Sequence, residues 1–171
     1  QRLPSLLQAP ILAKGLGRVA SDVPNSATLG IGRSGFSSAD KFSAEAFSRY
    51  QRYTDEAYSR VQLLDQKGKL DIPKGIPRDT IVGQKVDSIA RARMRAWLKS
   101  EGISEGPSEL IQLNRWLRDP AGSGSYRIPD VRIPEGNLIL DGTIGFKRWE
   151  APQIQGFYKY SGGNNITCLL Y

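Results

Sequence analysis

Two aspartates stand at the ends of apolar segments, and their spacing suggests a pair of metal ligands. Asp130 follows Tyr126-Arg-Ile-Pro129, and Asp141 follows Leu138-Ile-Leu140. Proline cannot donate a hydrogen bond to a sheet ladder, so Pro129 marks a bend or an edge where the next acid is free to coordinate. If the two segments pair as a hairpin, the carboxylates come close together, and a hard cation such as Mg²⁺ relieves their repulsion. Such a cation lowers the pKa of a bound water and stabilises a phosphate under attack.

Each acid also has an ordinary structural interpretation. Asp130 can cap the turn that it begins, and Asp141-Gly142 is a common turn dipeptide. The spacing alone leaves both interpretations open, so the choice depends on the elements that position the two side chains.

The composition excludes several catalytic mechanisms and favours a negatively charged partner. The 171 residues include no histidine, which excludes Ser-His-Asp and Cys-His triads, His-ligated zinc and histidine-based nuclease mechanisms. Cys168 is the only cysteine and cannot form an internal disulfide. The formal charge of +7 favours a polyanionic partner, or an acidic protein that covers the same surface, over a merely soluble basic protein. No segment is long and apolar enough to suggest a membrane span.

The first 40 residues are rich in Gly, Ser, Ala and Pro, which predicts a linker or a loosely packed arm. Helical spacing of apolar side chains predicts an amphipathic helix over 41–66, within a helical extension over 41–75, with Ser38 or Asp40 as its cap. A Pro/Gly connector over 72–78 is the predicted boundary before a core at 76–171. Because the chain begins at Gln1 without a signal peptide, we expect it to be a segment of a longer protein whose natural end is Tyr171.

The core segment is predicted to be an α/β (α+β) fold with a mixed sheet. A helix over 80–100 precedes strands over 110–117, 126–133 and 138–146, and a helix over 152–160 precedes a strand over 166–170. The segment 110–117 could instead be a short helix. On the helix over 80–100, a basic stripe is formed by Arg91, Arg95 and Lys99, and it could contact a phosphate backbone or simply face solvent. An ion pair between Asp87 and Arg91 would favour the interpretation as a solvent-exposed face.

From about residue 80 onward, this order resembles the PD-(D/E)xK nuclease superfamily, which has a restriction-endonuclease-like core. The superfamily places Pro-Asp on the second strand and Asp/Glu-x-Lys on the third; Pro129-Asp130 matches the first element and Asp141 the second acid. The chain is most similar to virus-type replication-repair nuclease modules and to restriction-like toxin domains. In these, a Gln-x-x-x-Tyr-like helix follows the third strand, and Gln153–Phe157 and Gln155–Lys159 each resemble that element.

One position departs from the superfamily pattern. The expected lysine is replaced by Thr143, which shares a strand face with Asp141 but carries no positive charge. Lys147 has the same parity, yet six residues of strand would place it about 20 Å away unless the chain bends at one of the neighbouring glycines. Lys159 on the following helix is another candidate, and a shifted alignment or metal catalysis without lysine are further alternatives.

The resemblance implies a nuclease, most simply a DNase, that depends on Mg²⁺ or Mn²⁺. Asp130 and Asp141 would hold the metal, and Lys147 or Lys159 would support the transition state. The entry-helix residues Asp87 and Gln84 would assist the metal. Substrate positioning would fall to Gln153 and Gln155. Phosphate contacts would come from four arginines, namely Arg91, Arg95, Arg127 and Arg132.

The resemblance also implies a biological setting. Restriction-like domains behind a Gly/Ser/Pro-rich lead resemble the payloads of bacterial polymorphic toxins, which contact-dependent or type VI-like secretion delivers into the cytoplasm of competitors. The producing cell would then need an immunity protein, acidic enough to cover a basic cleft. Two other functions remain open from the sequence: an RNase or tRNase toxin on the same scaffold, and a non-catalytic nucleic-acid-binding or interaction module.

Overall fold

The computed structural model describes residues 38–145 and 147–171. Two long helices come first, α1 (Ala39–Gln66) and α2 (Arg78–Ser100), which confirms the helices predicted over 41–66 and 80–100. Ser38 caps α1, and its side chain accepts a hydrogen bond from the backbone N–H of Lys41 at 3.3 Å. The linker predicted over 1–40 lies, apart from its last three residues, outside the described part of the chain. None of the helices described combines the length and apolarity that a bilayer crossing requires.

Helix α1 shares one hydrophobic core with α2 and the sheet. Its buried residues recur at helical spacing, and the ring of Phe42 stacks on Trp97 of α2 with centroids 5.8 Å apart. The same buried cluster includes Leu113 and Leu140 from two strands. The sequence left open whether residues 1–75 belong to the fold, and these contacts place α1 within it.

The remaining elements form a mixed sheet and one further helix, which confirms the α+β class. The strands are β1 (Gln112–Leu113), β2 (Leu117–Arg118), β3 (Tyr126–Arg127), β4 (Val131–Ile133), β5 (Leu138–Thr143) and β6 (Asn165–Leu170), and α3 (Pro152–Ser161) lies between β5 and β6. The main sheet has the order β1-β4-β5-β6, and β2 and β3 form a separate antiparallel hairpin. In the main sheet β5 and β6 are parallel, whereas the other pairs are antiparallel.

Two predicted strands are interrupted, each for a local reason. The strand predicted over 110–117 divides into β1 and β2 at Asn114, whose φ of 51° breaks the extended backbone, and the alternative of a short helix there is wrong. The strand predicted over 126–133 divides into β3 and β4 around Pro129, which cannot donate to a ladder. Strand β5 ends at Thr143, before the predicted end at Phe146, which lies outside the described residues.

Alternation along β5 gives the sheet two differently covered faces. Leu140 packs with α1 and α2, whereas Ile139 packs with Ile154 and Phe157 of α3. Helix α3 begins at Pro152, as predicted, and ends at Gly162, whose φ of 74° gives a left-handed cap. Position 141 therefore belongs to the face that α3 covers.

Candidate active site

Asp130 and Asp141 lie across from one another where β4 and β5 begin to separate. Continuing the pairing of Val131 with Leu140 by one residue places Asp130 opposite Asp141. Oδ2 of Asp130 accepts a hydrogen bond from the backbone N–H of Gly142 at 2.7 Å. The side chain of Asp130 thus accepts a backbone N–H of β5 just beyond the bend at Pro129. This hydrogen bond holds the carboxylate next to the residue that follows Asp141.

A turn after β5 brings Lys147 back to Asp141. The Thr143 side chain accepts a hydrogen bond from the N–H of Gly145 at 3.3 Å and donates one to its carbonyl at 2.7 Å. Beyond this turn, Nζ of Lys147 lies 2.6 Å from Oδ2 of Asp141. The chain therefore bends in the way that Lys147 requires in order to reach Asp141, and the side chain of Thr143 stabilises this bend.

Gln153, in the first turn of α3, completes a closed group of hydrogen bonds with Asp141 and Lys147. Its Nε2 donates to the two carboxylate oxygens of Asp141 at 3.2 and 3.3 Å. Its Oε1 accepts from Nζ of Lys147 at 2.9 Å. The side chain of Asp141 is 4% exposed and that of Lys147 is 24% exposed, so the ion pair is largely shielded while the ammonium still reaches solvent. We call Asp141, Lys147 and Gln153 the lysine triad.

Burial and charge repulsion raise the pKa of Asp141. Burial is the larger cause, the charge of Asp130 adds to it, and the hydrogen bond and charge of Lys147 oppose both, which leaves the pKa at about 6. Near neutral pH the carboxylate is therefore ionised, and it is held in that state by the lysine.

Asp87 of α2 is a third acid beside the pair. One of its oxygens lies 2.8 Å from Nη1 of Arg91, whereas Oδ1 is buried and has no hydrogen-bond partner. Burial first, and then the charge of Asp130, raise its pKa to about 7, against the opposing charge of Arg91. Because two bare anions repel, a proton or a cation between the carboxylates of Asp87 and Asp130 would be stabilising.

The acids suit a cation that keeps most of its ligands as water. Among the residues described, no group of three or more His, Cys, Asp or Glu side chains is arranged to hold a metal ion by itself. Mg²⁺ typically binds through one or two carboxylates plus several waters, and Mn²⁺ accepts the same donors. Asp130 and Asp141 supply two such carboxylates, one bonded to Tyr50 of α1 and the other to Gln153 of α3. A cation bound by both would relieve the repulsion that adds to burial in raising the pKa of Asp87 and Asp141.

Three other predicted site residues lie apart from this group. Nε2 of Gln155, which is exposed, donates to the carbonyl of Trp149 at 2.8 Å. Nζ of Lys159 lies 3.7 Å from Oδ2 of Asp119, so of the two lysine candidates the structure places Lys147 at Asp141. Gln84 is exposed on α2 and makes no hydrogen bond to the acids.

The four arginines predicted to contact phosphate fall into two pairs. On α2 both are held by carboxylates, Arg91 by Asp87 at 2.8 Å and Arg95 by Glu105 at 2.6 Å. The i,i+4 pairing of Asp87 with Arg91 is present, but the two side chains are only 24% and 19% exposed, so this pair lies beside the acids and not on a solvated helix face. The strand residues Arg127 and Arg132 have no ion-pair partner among the described residues.

Sequence reasoning missed two tyrosines at the site. Tyr50 of α1 is 1% exposed, and its hydroxyl donates to Oδ2 of Asp130 at 2.9 Å. The ring of Tyr171 lies so close that a Cβ at Gly142 would be 2.9 Å from its Cε1. Burial and the neighbouring carboxylates raise the pKa of both phenols, so they remain donors. The available signal was a hydroxyl on the apolar face of α1, because a buried tyrosine usually finds a polar partner.

Replacing Tyr50 with phenylalanine tests this contact. The change removes the hydroxyl donor and keeps the ring, so we expect the free energy of unfolding to fall by about 1–3 kcal/mol at pH 8, since a hydrogen bond to a charged group is lost. Urea denaturation would measure it. Tyr58→Phe, a half-buried tyrosine of the same helix that contacts Tyr171, is the matched control. Equal losses in the two variants would contradict a specific role for the Tyr50 hydroxyl.

In comparisons with known proteins, no family model, curated protein or solved structure matches this chain. The function of the domain is therefore inferred from the geometry and electrostatics of the acids and the lysine triad.

Proposed function

We propose that this domain is a metal-dependent nuclease with a restriction-endonuclease-like core, which hydrolyses phosphodiester bonds of DNA. The observation that carries the proposal is the 2.6 Å contact between Nζ of Lys147 and Oδ2 of Asp141. The PD-(D/E)xK pattern requires a lysine beside the acid of the third strand. In this chain the turn after Thr143 would supply it from a position four residues later.

Each residue of the site has a definite role under this proposal. Asp130 and Asp141 would hold Mg²⁺ or Mn²⁺, which supplies an activated water and Lewis-acid stabilisation of the phosphate when bound. The ammonium of Lys147 contributes positive charge where the phosphate becomes more negative in the transition state. Gln153 holds Lys147 and Asp141 in register through both ends of its amide. Tyr50 and the N–H of Gly142 orient the carboxylate of Asp130.

The cost of this arrangement supports a function over a structural role. A buried carboxylate that lacks full compensation is destabilising, and the unpartnered oxygen of Asp87 adds to that cost. Raised pKa values of two neighbouring acids, here Asp87 and Asp141, are typical of functional sites. The net charge of +7 favours a polyanionic substrate.

The biological setting that we propose follows from the resemblance to polymorphic toxin domains. The domain would act in the cytoplasm of a target bacterial cell after delivery by a secretion system, and an acidic immunity protein would cover its basic surface in the producing cell. The charge of +7 agrees with such a partner.

Nuclease activity is tested by incubating the domain with plasmid DNA and with total RNA, each in Mg²⁺ and in EDTA. We expect plasmid cleavage in Mg²⁺ and none in EDTA. Cleavage of RNA alone would replace the proposed DNase with an RNase on the same scaffold. Failure to cleave either substrate in Mg²⁺ or Mn²⁺ would overturn the enzymatic proposal.

A further inference from the structure

A basic and aromatic groove lies along β1, β2 and β4 and contributes no residue to the lysine triad. Its volume is about 490 Å³, within the range of small-molecule sites, and its lining includes Arg115, Trp116, Arg118 and Arg132. We call these four residues the aromatic groove. Three of the four are cations, and no acidic residue lines the groove.

The positive charge of the aromatic groove has no counterion in the described part of the chain. None of its three arginines has a carboxylate oxygen within 4.0 Å. Arg132 is half-buried and donates only long hydrogen bonds, to Asn164 at 3.4 Å and to Gln112 at 3.5 Å. Burial lowers the pKa of this guanidinium. A half-buried cation with weak neutral partners is stabilised by an incoming anion.

An exposed pair of aromatic rings borders the same surface. Trp116 is 57% exposed and Tyr126 is 44% exposed, and their rings stack at 4.6 Å with an interplanar angle of 8°. The guanidinium of Arg118 lies 5.1 Å from the centroid of Trp116. Flat aromatic surfaces interleaved with arginine bind unpaired bases by stacking and cation–π interaction, whereas a duplex keeps its base faces covered.

A backbone hydrogen bond connects the aromatic groove to the acids. The N–H of Asn114, directly before Arg115 and Trp116, donates to the carbonyl of Asp130 at 3.0 Å. The segment that carries two groove residues is thus fixed to the residue that carries one of the candidate metal ligands.

We propose that the aromatic groove binds single-stranded DNA. An unpaired base stacks on Trp116, and the backbone phosphates contact Arg115, Arg118 and Arg132. The choice of DNA, and of cleavage as the outcome of binding, rests on the proposed function. On a supercoiled plasmid the groove would then engage a locally unpaired DNA segment, which enters along the β2–β3 hairpin and presents a phosphodiester to the acids.

Binding is measured separately from cleavage, with the full 171-residue chain in EDTA and a fluorescently labelled DNA oligonucleotide. We expect Trp116→Ala to weaken binding about tenfold, from the loss of one stacking contact. Trp116→Phe keeps a stacking ring and should retain most of the affinity. Arg118→Ala should make the slope of log K against log salt concentration shallower by about 0.7, since one phosphate contact is lost. Arg60→Ala, an exposed arginine of α1, is the matched control for charge and should leave the affinity close to that of wild type.

Circular dichroism of each variant confirms that it is folded. Wild-type affinity in folded Trp116→Ala would overturn the groove assignment, as would tighter binding of duplex DNA or RNA of the same length. The two proposals fail separately. If binding depends on Trp116 but no DNA is cleaved, the nuclease proposal is rejected and the groove proposal is retained. If DNA is cleaved but the affinity does not change in Trp116→Ala, the groove proposal is rejected and the nuclease proposal is retained.

Discussion

Replacing Lys147 with methionine is expected to slow DNA cleavage by about 10²–10³-fold, the usual cost of removing one preorganised group that stabilises transition-state charge. Among the described residues, Lys147 is the cation that contacts Asp141, and Thr143 in the usual lysine position carries no charge. Methionine keeps most of the length of the side chain, so the turn after β5 should persist. Rates of plasmid cleavage at saturating Mg²⁺ would measure the effect.

The same variant should change the pH dependence of any residual activity. Lys147 lowers the pKa of Asp141, so its loss raises that pKa above about 6 and moves the acidic limb of the rate profile to higher pH. Lys159→Met is the matched control, because the Lys159 ammonium lies beside Asp119 instead. Equal rates for wild type and Lys147→Met, or an equal loss in both lysine variants, would contradict the role given to Lys147.

The second large effect concerns stability. The free energy of unfolding of the metal-free domain should contain a contribution from Asp87 and Asp141 that is lost as the pH rises. Both folded-state pKa values lie above the ordinary value of 3.8, so the folded state binds these protons more tightly than the unfolded chain does. The contribution is fully present below about pH 4 and disappears as the pH passes through about 6 and about 7. At about 1.4 kcal/mol per pKa unit, the shifts correspond to roughly 3 kcal/mol for Asp141 and roughly 4 kcal/mol for Asp87.

Asp87→Asn removes the part of this contribution that comes from Asp87, because asparagine keeps the shape of the side chain and cannot ionise. In EDTA, urea denaturation at pH 4.5 and pH 8 should show a smaller pH-dependent loss of stability than in wild type. Asp55→Asn, an exposed acid of α1, is the control and should follow wild type. Mg²⁺ should restore stability at pH 8 in wild type, since a bound cation favours the ionised carboxylates. An identical pH dependence in wild type and Asp87→Asn would contradict the electrostatic coupling of Asp87 to Asp130.

Local pattern was enough to predict the helices and the bend before Asp130. Apolar spacing located α1 and α2, Pro152 and Gly162 bounded α3, and Pro129 marked the bend at which Asp130 leaves the ladder. These features depend on neighbours within a few residues, which is the range over which propensity acts.

The missed features depend on contacts between distant residues or on single dihedral angles. Tyr50 is 80 residues from Asp130, so its role could not be inferred from helical periodicity. The break between β1 and β2 requires a positive φ at Asn114, which no alternation pattern reveals. The sequence predicted phosphate contacts from the basic stripe of α2, but Arg91 and Arg95 are paired with carboxylates. The arginines of the aromatic groove, which have no such partners, lie around the β2–β3 hairpin.

The central claim is that Asp130 and Asp141 together make this domain a metal-dependent nuclease. The most direct measurement is plasmid cleavage in Mg²⁺ by the folded double variant Asp130→Ala/Asp141→Ala beside wild type. We predict cleavage by wild type and none by the double variant. Cleavage that survives in the double variant would contradict the site assignment.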